Sequence, residues 1–440
     1  MSTSSTTAPS ILIIGAGIFG TSTAYHLSLT HPFPSKITVL DRSPFPSHHA
    51  ASTDINKIVR ADYTSRFYME LAYEALETWK NWPVLQDAEG RRFFHQSGWI
   101  TLSNEGNDLA ERIRRNFRDR GSDVTKDIEI DQGVRGRWNG LLRETDLQAI
   151  VAGYENPDAG WADAGDAIAK LMEHAVSRGV NYESADVENL ILGDNGIRGA
   201  KTKDRGIYEA DKVLLATGAW TSQLLASIED ELDMKDEDRV EKQVTAAGVC
   251  VVHYKLSNSE YETLKDMPVL IYGDRGEALP PPRSNHLLKF TNPNSFTNTV
   301  FTPTGHRISV PPDREQSVVS EKLKQETLDS IVKKVMPQCM ERPVDYWRLC
   351  WDAITPSQDQ LLAKHPHPRL NNLYFAVGGS FHSWKFLPII GQYVVNLLNG
   401  ISNGEEKDQK WGWKTEKHQG RGVHEKVIPK RELKDLDDDV

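Results

Sequence analysis

The feature that most constrains this chain is a turn with three glycines that follows a short apolar run near the N-terminus. The run Ile11-Leu-Ile-Ile14 leads into Gly15-Ala-Gly-Ile-Phe-Gly20, and helix-forming residues come next. The pattern predicts a strand, a tight turn and a helix whose free N–H groups bind phosphate. Gly15 permits the reversal, Gly17 lets a diphosphate approach the main chain, and Gly20 lets helix and strand pack closely.

A second apolar run and an acidic residue strengthen this interpretation. Lys36-Ile-Thr-Val-Leu40 predicts another strand, and Asp41 follows it, 21 residues after Gly20. A carboxylate at this spacing hydrogen-bonds the ribose hydroxyls of an adenosine. The sequence therefore predicts a dinucleotide site, with a ligand-free βαβ unit as the alternative. Arg42 is a phosphate ligand or a solvated surface charge.

Length and composition limit the other functions. A chain of 440 residues is long enough for two or three domains, and its 38% hydrophobic and 26% charged content is typical of a soluble protein. A net charge of −10 argues against nucleic-acid and anionic-membrane partners. No apolar run approaches the roughly 18 residues of a membrane helix, and the N-terminus does not resemble a signal peptide. Three cysteines without zinc-ligand spacing predict a reducing compartment and no metal site.

The order of elements predicts a discontinuous domain arrangement. The run 212–220, an apolar strand that ends in Ala-Thr-Gly, is typical of flavoproteins that bind a dinucleotide, whereas 244–301 reads as short antiparallel strands. We expect the dinucleotide-binding domain to comprise residues 1–85, 150–226 and 340–400. We expect a second domain of residues 86–149 and 227–339, and a loosely packed charged tail of residues 401–440.

Several motifs together resemble one enzyme family. They are Gly15 to Gly20, Asp54-Ile-Asn-Lys57, Ala216-Thr-Gly-Ala-Trp220, Arg348-Leu-Cys-Trp351 and Gly379-Ser-Phe-His-Ser-Trp-Lys385. Over roughly residues 10–400 the chain resembles FAD-dependent amine oxidases related to monomeric sarcosine oxidase, and most closely the fructosyl-amino-acid and fructosyl-peptide oxidases, or amadoriases. The resemblance implies an α/β flavoprotein with a Rossmann-like FAD-binding domain and a second α+β substrate domain built on an antiparallel sheet.

The resemblance also implies the reaction and the cofactor contacts. Family members oxidise the C–N bond of fructosyl amino acids or peptides and give glucosone, the free amino acid or peptide, and hydrogen peroxide. In the family, a cysteine at the position of Cys350 binds FAD covalently, and Arg348, on the same face of a strand, can stabilise its thiolate. The alternative is a buried free cysteine. The expected cofactor contacts are Gly15, Gly17, Ile18, Phe19, Gly20, Asp41, Arg42, Ser52, Lys57, Val187, Gly218, Cys350, Asp352, Gly379, Phe381, His382 and Lys385.

Three lysines are the catalytic candidates. Reduced flavin carries negative charge, which Lys385 and the start of a helix near Pro388 can stabilise. Lys289 aligns with the family's oxygen-activating lysine, although a lysine in an apolar strand can instead protect a sheet edge from aggregation. Lys57 is a second candidate for the oxygen reaction, with Asn56 beside it.

The substrate site is expected to hold a carboxylate and sugar hydroxyls. Arg60 aligns with the carboxylate-binding arginine of sarcosine oxidase relatives, or else it is a surface partner of Asp62. Lys385 and Lys414 are further candidates, and Lys414 stands where relatives carry arginine in a Trp-x-Trp-Arg motif. Relatives have an acidic residue shortly after the lysine that matches Lys289, whereas the run 290–293 has none, so we assign no acidic ligand.

The remaining expectations concern location, partners and rival functions. The chain lacks the Ser-Lys-Leu ending of many relatives, so we expect a cytoplasmic monomer that binds a glycated amino acid or peptide and dioxygen. One rival is a sarcosine- or proline-like amine oxidase of the same fold. Another, suggested by the glycine turn alone, is a nicotinamide dehydrogenase. A third is a nucleotide-sensing module without enzymatic activity, which leaves the motifs around Cys350 and Lys385 without a purpose.

Overall fold

The computed structural model describes residues 8–137, 140–415 and 429–437. Its strands are Ile11–Ile14 (β1), Ile37–Asp41 (β2), Asn56–Val59 (β3), Phe94–His95 (β4), Trp99–Asn104 (β5), Lys126–Asp127 (β6), Ile150–Asn156 (β7), Gly160–Asp163 (β8), Asn181–Ser184 (β9), Val187–Gly193 (β10), Gly196–Thr202 (β11), Gly206–Glu209 (β12), Lys212–Leu215 (β13), Thr245–Lys255 (β14), Val269–Tyr272 (β15), Gly276–Leu279 (β16), Leu287–Phe296 (β17), Thr299–Phe301 (β18), Arg307–Ser309 (β19), Tyr346–Ile354 (β20), Leu361–Lys364 (β21) and Leu373–Val377 (β22). Its α-helices are Ile18–Thr30 (α1), Arg66–Asn81 (α2), Leu109–Arg120 (α3), Gln132–Arg135 (α4), Ala164–Ser177 (α5), Thr221–Glu231 (α6), Asn258–Leu264 (α7), Glu321–Thr327 (α8), Lys333–Val335 (α9), Ile390–Leu398 (α10) and Glu405–Trp411 (α11).

A six-stranded, mostly parallel sheet forms the first layer. Its order is β21-β22-β13-β1-β2-β9, and β1 pairs in parallel with both β2 and β13. All four residues of β1 are buried, as expected of a strand covered on both faces. Helix α1 packs against α5 and α10, so it has no polar face to solvent and is buried over most of its length. The predicted βαβ unit is therefore confirmed.

An eight-stranded mixed sheet forms the second layer, in the order β20-β14-β17-β16-β15-β5-β7-β6. It includes β7 and β20, both of which the predicted division placed in the dinucleotide-binding domain. Strand β20 pairs with β14 along its whole length, from Thr245 opposite Ile354 to His253 opposite Tyr346. Continuous pairing holds β20 in the large sheet, and only the chain after it joins the first sheet through β21 and β22. The domain boundaries themselves stay a prediction, with these two strands assigned differently.

Three local features of these elements have simple descriptions. Strands β4 and β5 follow each other closely but lie in different sheets, because Gly98 with φ of +90° turns the chain between them. Helices α8 and α9 are joined by a π-helical turn at Leu328–Val332. Pro388 lies just before α10.

The charged tail packs more closely than predicted. Trp411 at the end of α11 is only 1% exposed. Residues 429–437 lie along the large sheet, where Leu433 and Leu436 are buried beside Phe296 and Trp351. Main-chain hydrogen bonds from Thr297 to Arg431 and from Leu433 to Thr297 fix this segment. The expectation of a loosely packed tail is wrong for these residues, because two leucines among the charges supply an apolar anchor. No helix of the described residues is long and apolar enough to span a membrane.

Two glutamates with raised pKa values, Glu229 and Glu241, lie near the contact between α6 and the β18–β19 hairpin. Burial raises the pKa of Glu229 to about 7 and that of Glu241 to about 8. Glu241 accepts hydrogen bonds from the Ser222 hydroxyl on α6 and from the Ser309 N–H on β19. Both glutamates therefore bind protons more tightly in the folded state than in the unfolded chain, where the pKa of glutamate is about 4.3.

We expect the Glu241→Gln variant to become more stable than the wild type as the pH rises, because the wild type loses stability. A carboxyl with a raised folded pKa contributes stability that is lost as the pH rises from about 4.3 towards its folded pKa. The neutral amide can accept from the Ser309 N–H through its oxygen and donate to the Ser222 hydroxyl through its NH2 group, and it has no proton to lose. Thermal unfolding should show a higher Tm than wild type at pH 8.5 and a much smaller difference at pH 5.5. The exposed Glu105→Gln variant is the control, and an equal Tm shift at both pH values would contradict the assignment.

Candidate active site

A groove of about 670 Å³ opens at the carboxyl ends of β1, β2 and β13, where the first sheet meets the second. This is the position at which parallel α/β sheets bind nucleotides. The predicted cofactor contacts that line the groove are Gly15, Gly17, Ile18, Phe19, Asp41, Arg42, Ser52, Val187, Gly218, Asp352 and Gly379.

The three glycines occupy their positions for separate physical reasons. Gly15 has φ of +101°, and a Cβ there would lie 2.4 Å from the carbonyl oxygen of Ala216. A Cβ on Gly20 would lie 1.8 Å from the carbonyl oxygen of Gly15, so helix and turn meet at a distance only glycine allows. A Cβ on Gly17 would approach the Ser52 hydroxyl at 3.3 Å, on the groove side. The turn thus presents bare main chain to the groove.

Polar groups are already directed at the two ends of the turn. The Ile18 N–H, at the start of α1, donates to the Ser52 hydroxyl over 2.9 Å. The Asp41 carboxylate accepts from the Ala16 N–H at 2.8 Å and from the Ser47 hydroxyl at 2.7 Å. A helix N-terminus for phosphate and a carboxylate at the end of the next strand fit the diphosphate and ribose of a dinucleotide. Arg42 stacks on Trp220, with 4.5 Å from guanidinium to ring, at the groove wall.

The loop after β22 closes the other end of the groove. Ser380 and Phe381 have φ of +49° and +59°, and the Phe381 N–H donates to the Asp352 carboxylate over 2.7 Å. A Cβ on Gly379 would lie 2.7 Å from the same carboxylate. The pKa of Asp352 is raised, chiefly because its carboxyl is buried. The strained loop is therefore held by one acidic residue at the end of β20.

Cys350 lies on β20 close to the groove but does not form its described wall. Its side chain is buried beside Val249, Val251 and Ala51. Arg348, two residues earlier, donates to the carbonyl oxygens of Ala50 and Thr53 and to the Gln316 side chain. The arginine thereby fixes the loop beneath the groove to β20, besides lying on the same face of the strand as the cysteine.

A buried ion-pair cluster joins Lys57 and Lys289. The Asp54 carboxylate lies 2.7 Å from the Lys289 ammonium and 3.1 Å from the Lys57 ammonium. Lys289 also donates to the Asn56 carbonyl over 2.9 Å and is 3% exposed. Desolvation lowers the pKa of Lys289 and the carboxylate opposes that shift. The edge-strand alternative for Lys289 is wrong, because β17 pairs with β14 on one side and β16 on the other.

A second group of cations surrounds Lys385. Its ammonium donates to the Tyr63 hydroxyl over 2.8 Å and to the His382 carbonyl oxygen, and its side chain is buried. Burial, with Arg60 nearby, holds the pKa of Lys385 well below its usual value. The Arg60 guanidinium stacks on Tyr63 at 5.0 Å and on Trp99 at 4.7 Å. Among the described residues, the Arg60 guanidinium donates a hydrogen bond to the main-chain carbonyl oxygen of Asp62. The Asp62 carboxylate instead accepts hydrogen bonds from Tyr154 and Asn156.

Glu277 is the functional candidate that was missed in the sequence. It lies on β16, directly opposite Thr291 and on the same face as Lys289. Burial raises the pKa of its carboxyl, while Lys289, Arg60, Lys57 and Lys385 act in the opposite direction. The run 290–293 after Lys289 offers no acidic residue, and none was assigned there; the carboxylate comes instead from the neighbouring strand. Only the cross-strand register reveals that Glu277 lies on the same face as Lys289. In the sequence, the glutamate within the short run 276–279 was the feature that could have suggested an acidic candidate.

Three predicted site residues make contacts outside the wall of the groove. The Lys414 ammonium donates to the carbonyl oxygens of Gln409 and Lys410 at the end of α11, and among the described contacts none joins it to Lys385 or Arg60. The nearby helix end attracts its compact charge, and its role as a substrate ligand stays a prediction. Phe381 is 46% exposed, and the His382 ring is engaged with the Gln358 carbonyl at 2.7 Å.

A dinucleotide groove beside buried, paired lysines defines an oxidoreductase that holds a redox dinucleotide between two domains. Residues 10–397 match the family model described as DAO, FAD dependent oxidoreductase. The chain therefore belongs to this family, and its cofactor is FAD. The predicted α/β fold of a flavoprotein is confirmed. The family assignment also excludes the two alternative functions, a nicotinamide dehydrogenase and a nucleotide-sensing module.

Comparison with individual proteins agrees with this assignment. The chain is 28% identical over 428 residues to L-saccharopine oxidase of Schizosaccharomyces pombe, covering 92% of this chain and 93% of that protein. It is similar to the fructosamine oxidase Amadoriase II of Aspergillus fumigatus, with a TM-score of 0.82, 25% identity and coverage of 98% and 97%. It is also similar to a modified fructosyl peptide oxidase of Aspergillus nidulans, with a TM-score of 0.81, 26% identity and coverage of 97% and 98%. Both structures contain FSA.

We expect the Gly15→Ala variant to lose bound flavin. The added methyl would collide with the carbonyl oxygen of Ala216 at 2.4 Å, and Gly15 also has a positive φ, so the turn cannot keep its shape. The measurement is the visible flavin absorbance per mole of purified protein. Gly106→Ala is the matched control, because Gly106 has φ of +76° and nothing within 4 Å of its Cβ position. Equal flavin content in the two variants would contradict the placement of the groove.

Proposed function

We propose that the enzyme oxidises the C–N bond of fructosyl amino acids or fructosyl peptides and passes the electrons to dioxygen. The observation that carries the proposal is the position of Glu277, on the same face of the large sheet as Lys289 and within electrostatic range of Lys57, Lys385 and Arg60. A secondary amine with a carboxylate at one end needs both signs of charge in its site. The likeness to Amadoriase II and to the fructosyl peptide oxidase supports a fructosyl group as the other substituent.

The residues of the cluster can divide the work of binding. Bound FAD supplies the acceptor for the hydride of the substrate C–H bond. Arg60 offers two parallel N–H donors for the substrate carboxylate. Glu277 accepts a hydrogen bond from the amine N–H and orients the C–H bond. Lys385, fixed by Tyr63, places a positive charge beside the reacting centre in a site shielded from water.

We expect Glu277→Gln to lower kcat/KM by roughly 10- to 100-fold, because a charged hydrogen bond is worth about 1.5–3 kcal/mol. The amide keeps the shape of the side chain, so flavin content should not change. Initial rates of peroxide formation with fructosyl-valine test this, with the exposed Glu105→Gln variant as control. Wild-type kcat/KM in the Glu277 variant would show that this carboxylate does not hold the amine.

We further propose that Cys350 carries FAD covalently through a thioether. Its burial close to the groove, with lysine ammonium groups nearby, supports a position from which the thiol could add to the flavin, with loss of its proton and with dioxygen taking up the two electrons left on the flavin. The Cys350→Ser variant should release its flavin on acid precipitation, whereas wild-type flavin stays in the yellow pellet. Cys339→Ser, at a buried thiol in a different cluster, is the matched control. Flavin in the supernatant from wild type would overturn the linkage and leave the FAD assignment intact.

Oxidation of a saccharopine-type substrate is the second candidate function. Two observations favour it: the identity to L-saccharopine oxidase over most of both chains, and the excess of cations over carboxylates in the site. A secondary amine with carboxylates on both substituents would use Arg60 and Lys385 together. Peroxide formation from fructosyl-valine, saccharopine and sarcosine, compared under one condition, separates the candidates. Turnover of saccharopine without fructosyl-valine would replace the fructosyl proposal, and turnover of sarcosine alone would remove both.

A further inference from the structure

A second cavity, of about 420 Å³, lies next to the FAD groove and has no role in the assignments above. The two cavities share His49, Glu315 and Gln316 as a common wall. The mouth of the second cavity is polar, with Asp166, Ser284 and Ser317 exposed around it. Its inner end is formed by Thr53, Asp54 and Arg348. The cavity therefore extends from solvent to Asp54, the residue whose buried carboxylate pairs with Lys289 and Lys57.

Thr53, which lines the cavity, and two residues near Asp54 carry buried polar atoms that have no hydrogen-bond partners among the described residues. These atoms are the Thr53 hydroxyl, the side-chain oxygen of Asn56 and both ring nitrogens of His253. The His253 ring is fully buried against Tyr346, at 3.9 Å between centroids, and its Nε2 lies 3.9 Å from the Asp54 carboxylate. Buried polar atoms of this kind are ordinarily satisfied by internal water, and a water between the His253 Nε2 and the Asp54 carboxylate would satisfy one of them.

We propose that this cavity is a hydrated path along which protons from solvent reach Asp54 and the ammonium of Lys289. The proposal rests on the oxidase function, since reduction of dioxygen to hydrogen peroxide takes two electrons and two protons. The reduced flavin supplies both electrons and one proton. The second proton must come from the protein or from solvent. Asp54 acts as a positioning residue, because its contacts are with the two lysines and not with the reacting atoms.

The charges around Asp54 suit transfer and not storage of a proton. The groups that face it are Lys289 on β17, Lys57 on β3, His253 on β14 and Arg348 on β20. The cations hold the pKa of Asp54 well below its usual value, although burial alone would raise it. A carboxylate that stays ionised keeps both ammonium groups charged, and a proton lost from Lys289 is replaced through the water beside it. The polar lining also favours water over dioxygen, which is apolar and would gain nothing from these side chains.

A variant with a bulky side chain that fills the cavity tests the proposed path directly. Gly165 lies on its wall, and a Cβ there would have only ordinary contacts, the nearest being the Asp54 carbonyl at 3.6 Å. Gly165→Phe should fill the cavity, whereas Gly165→Ala adds one methyl and is the matched control. The first measurement is acetylation of Lys289 by acetic anhydride in the flavin-loaded protein, quantified by peptide mass spectrometry. We expect severalfold slower labelling in Gly165→Phe and wild-type labelling in Gly165→Ala.

The second measurement links the path to the oxygen reaction without an amine substrate. Flavin reduced with dithionite is mixed with dioxygen, and its reoxidation is followed in water and in deuterium oxide. Gly165→Phe should be reoxidised severalfold more slowly, with a larger solvent isotope effect. Equal labelling in the two Gly165 variants, or slower labelling with unchanged reoxidation, overturns the proposal. Neither result depends on which amine is the substrate, so failure here is distinct from failure of the proposed function.

Two further variants cover the possibility that Gly165→Phe does not fold. Ser284→Phe would narrow the cavity from the opposite wall and should slow Lys289 labelling in the same way. Asp54→Asn keeps the shape of the side chain and removes the charge that raises the pKa of Lys289. In that variant the pH midpoint of Lys289 labelling should move to lower pH, whereas a purely structural role for Asp54 would leave the midpoint unchanged and would refute its part in the proposal.

Discussion

The architecture depends on the contact between the start of α1 and the turn that precedes it. A side chain at Gly20 would overlap the Gly15 carbonyl, and a side chain at Gly15 would overlap the Ala216 carbonyl. Three backbone segments, from β1, α1 and β13, therefore meet without intervening side chains. This close approach leaves the N–H groups of α1 directed into the groove, and it fixes the distance between the glycine turn and Asp41. The diphosphate position follows from backbone packing before any side chain is chosen.

The reacting end of the groove is built by the second sheet. Strand β20 pairs with β14 along its full length and brings Arg348, Cys350 and Asp352 to the junction of the two sheets. Each of these residues fixes a different part: Arg348 holds the loop around Ala50, and Asp352 holds the strained turn at Phe381. Strand β17, one position further into the sheet, contributes Lys289. The site lies where the two sheets meet, so its geometry depends on how they are packed against each other.

Sequence patterns predicted those parts of the site that depend on short-range backbone geometry. The glycine turn, Asp41 and the helix α1 could all be predicted from local pattern and spacing. Glu277 could not, because its closeness to Lys289 comes from strand pairing. Lys414 was predicted as a substrate ligand from its position in a motif. In the structure its ammonium donates to carbonyl oxygens at the nearest helix end, which the motif does not indicate. The packing of Leu433 and Leu436 was hidden by the charges around them, since two apolar residues give no periodic signal.

The distribution of charge separates the interior of the site from the rest of the protein. The chain carries a net charge of −10, yet Lys57, Lys289, Lys385 and Arg60 converge on one buried region. Burying an ammonium costs several kcal/mol, and Asp54 and Glu277 offset only part of that cost. Stability alone gives no reason to keep such a cluster, because apolar residues of similar volume would pack as well or better. An anionic ligand bound there, together with the negative charge that FAD acquires on reduction, would supply the missing balance. The cations are therefore best understood as the protein's half of a charge arrangement that substrate and cofactor complete.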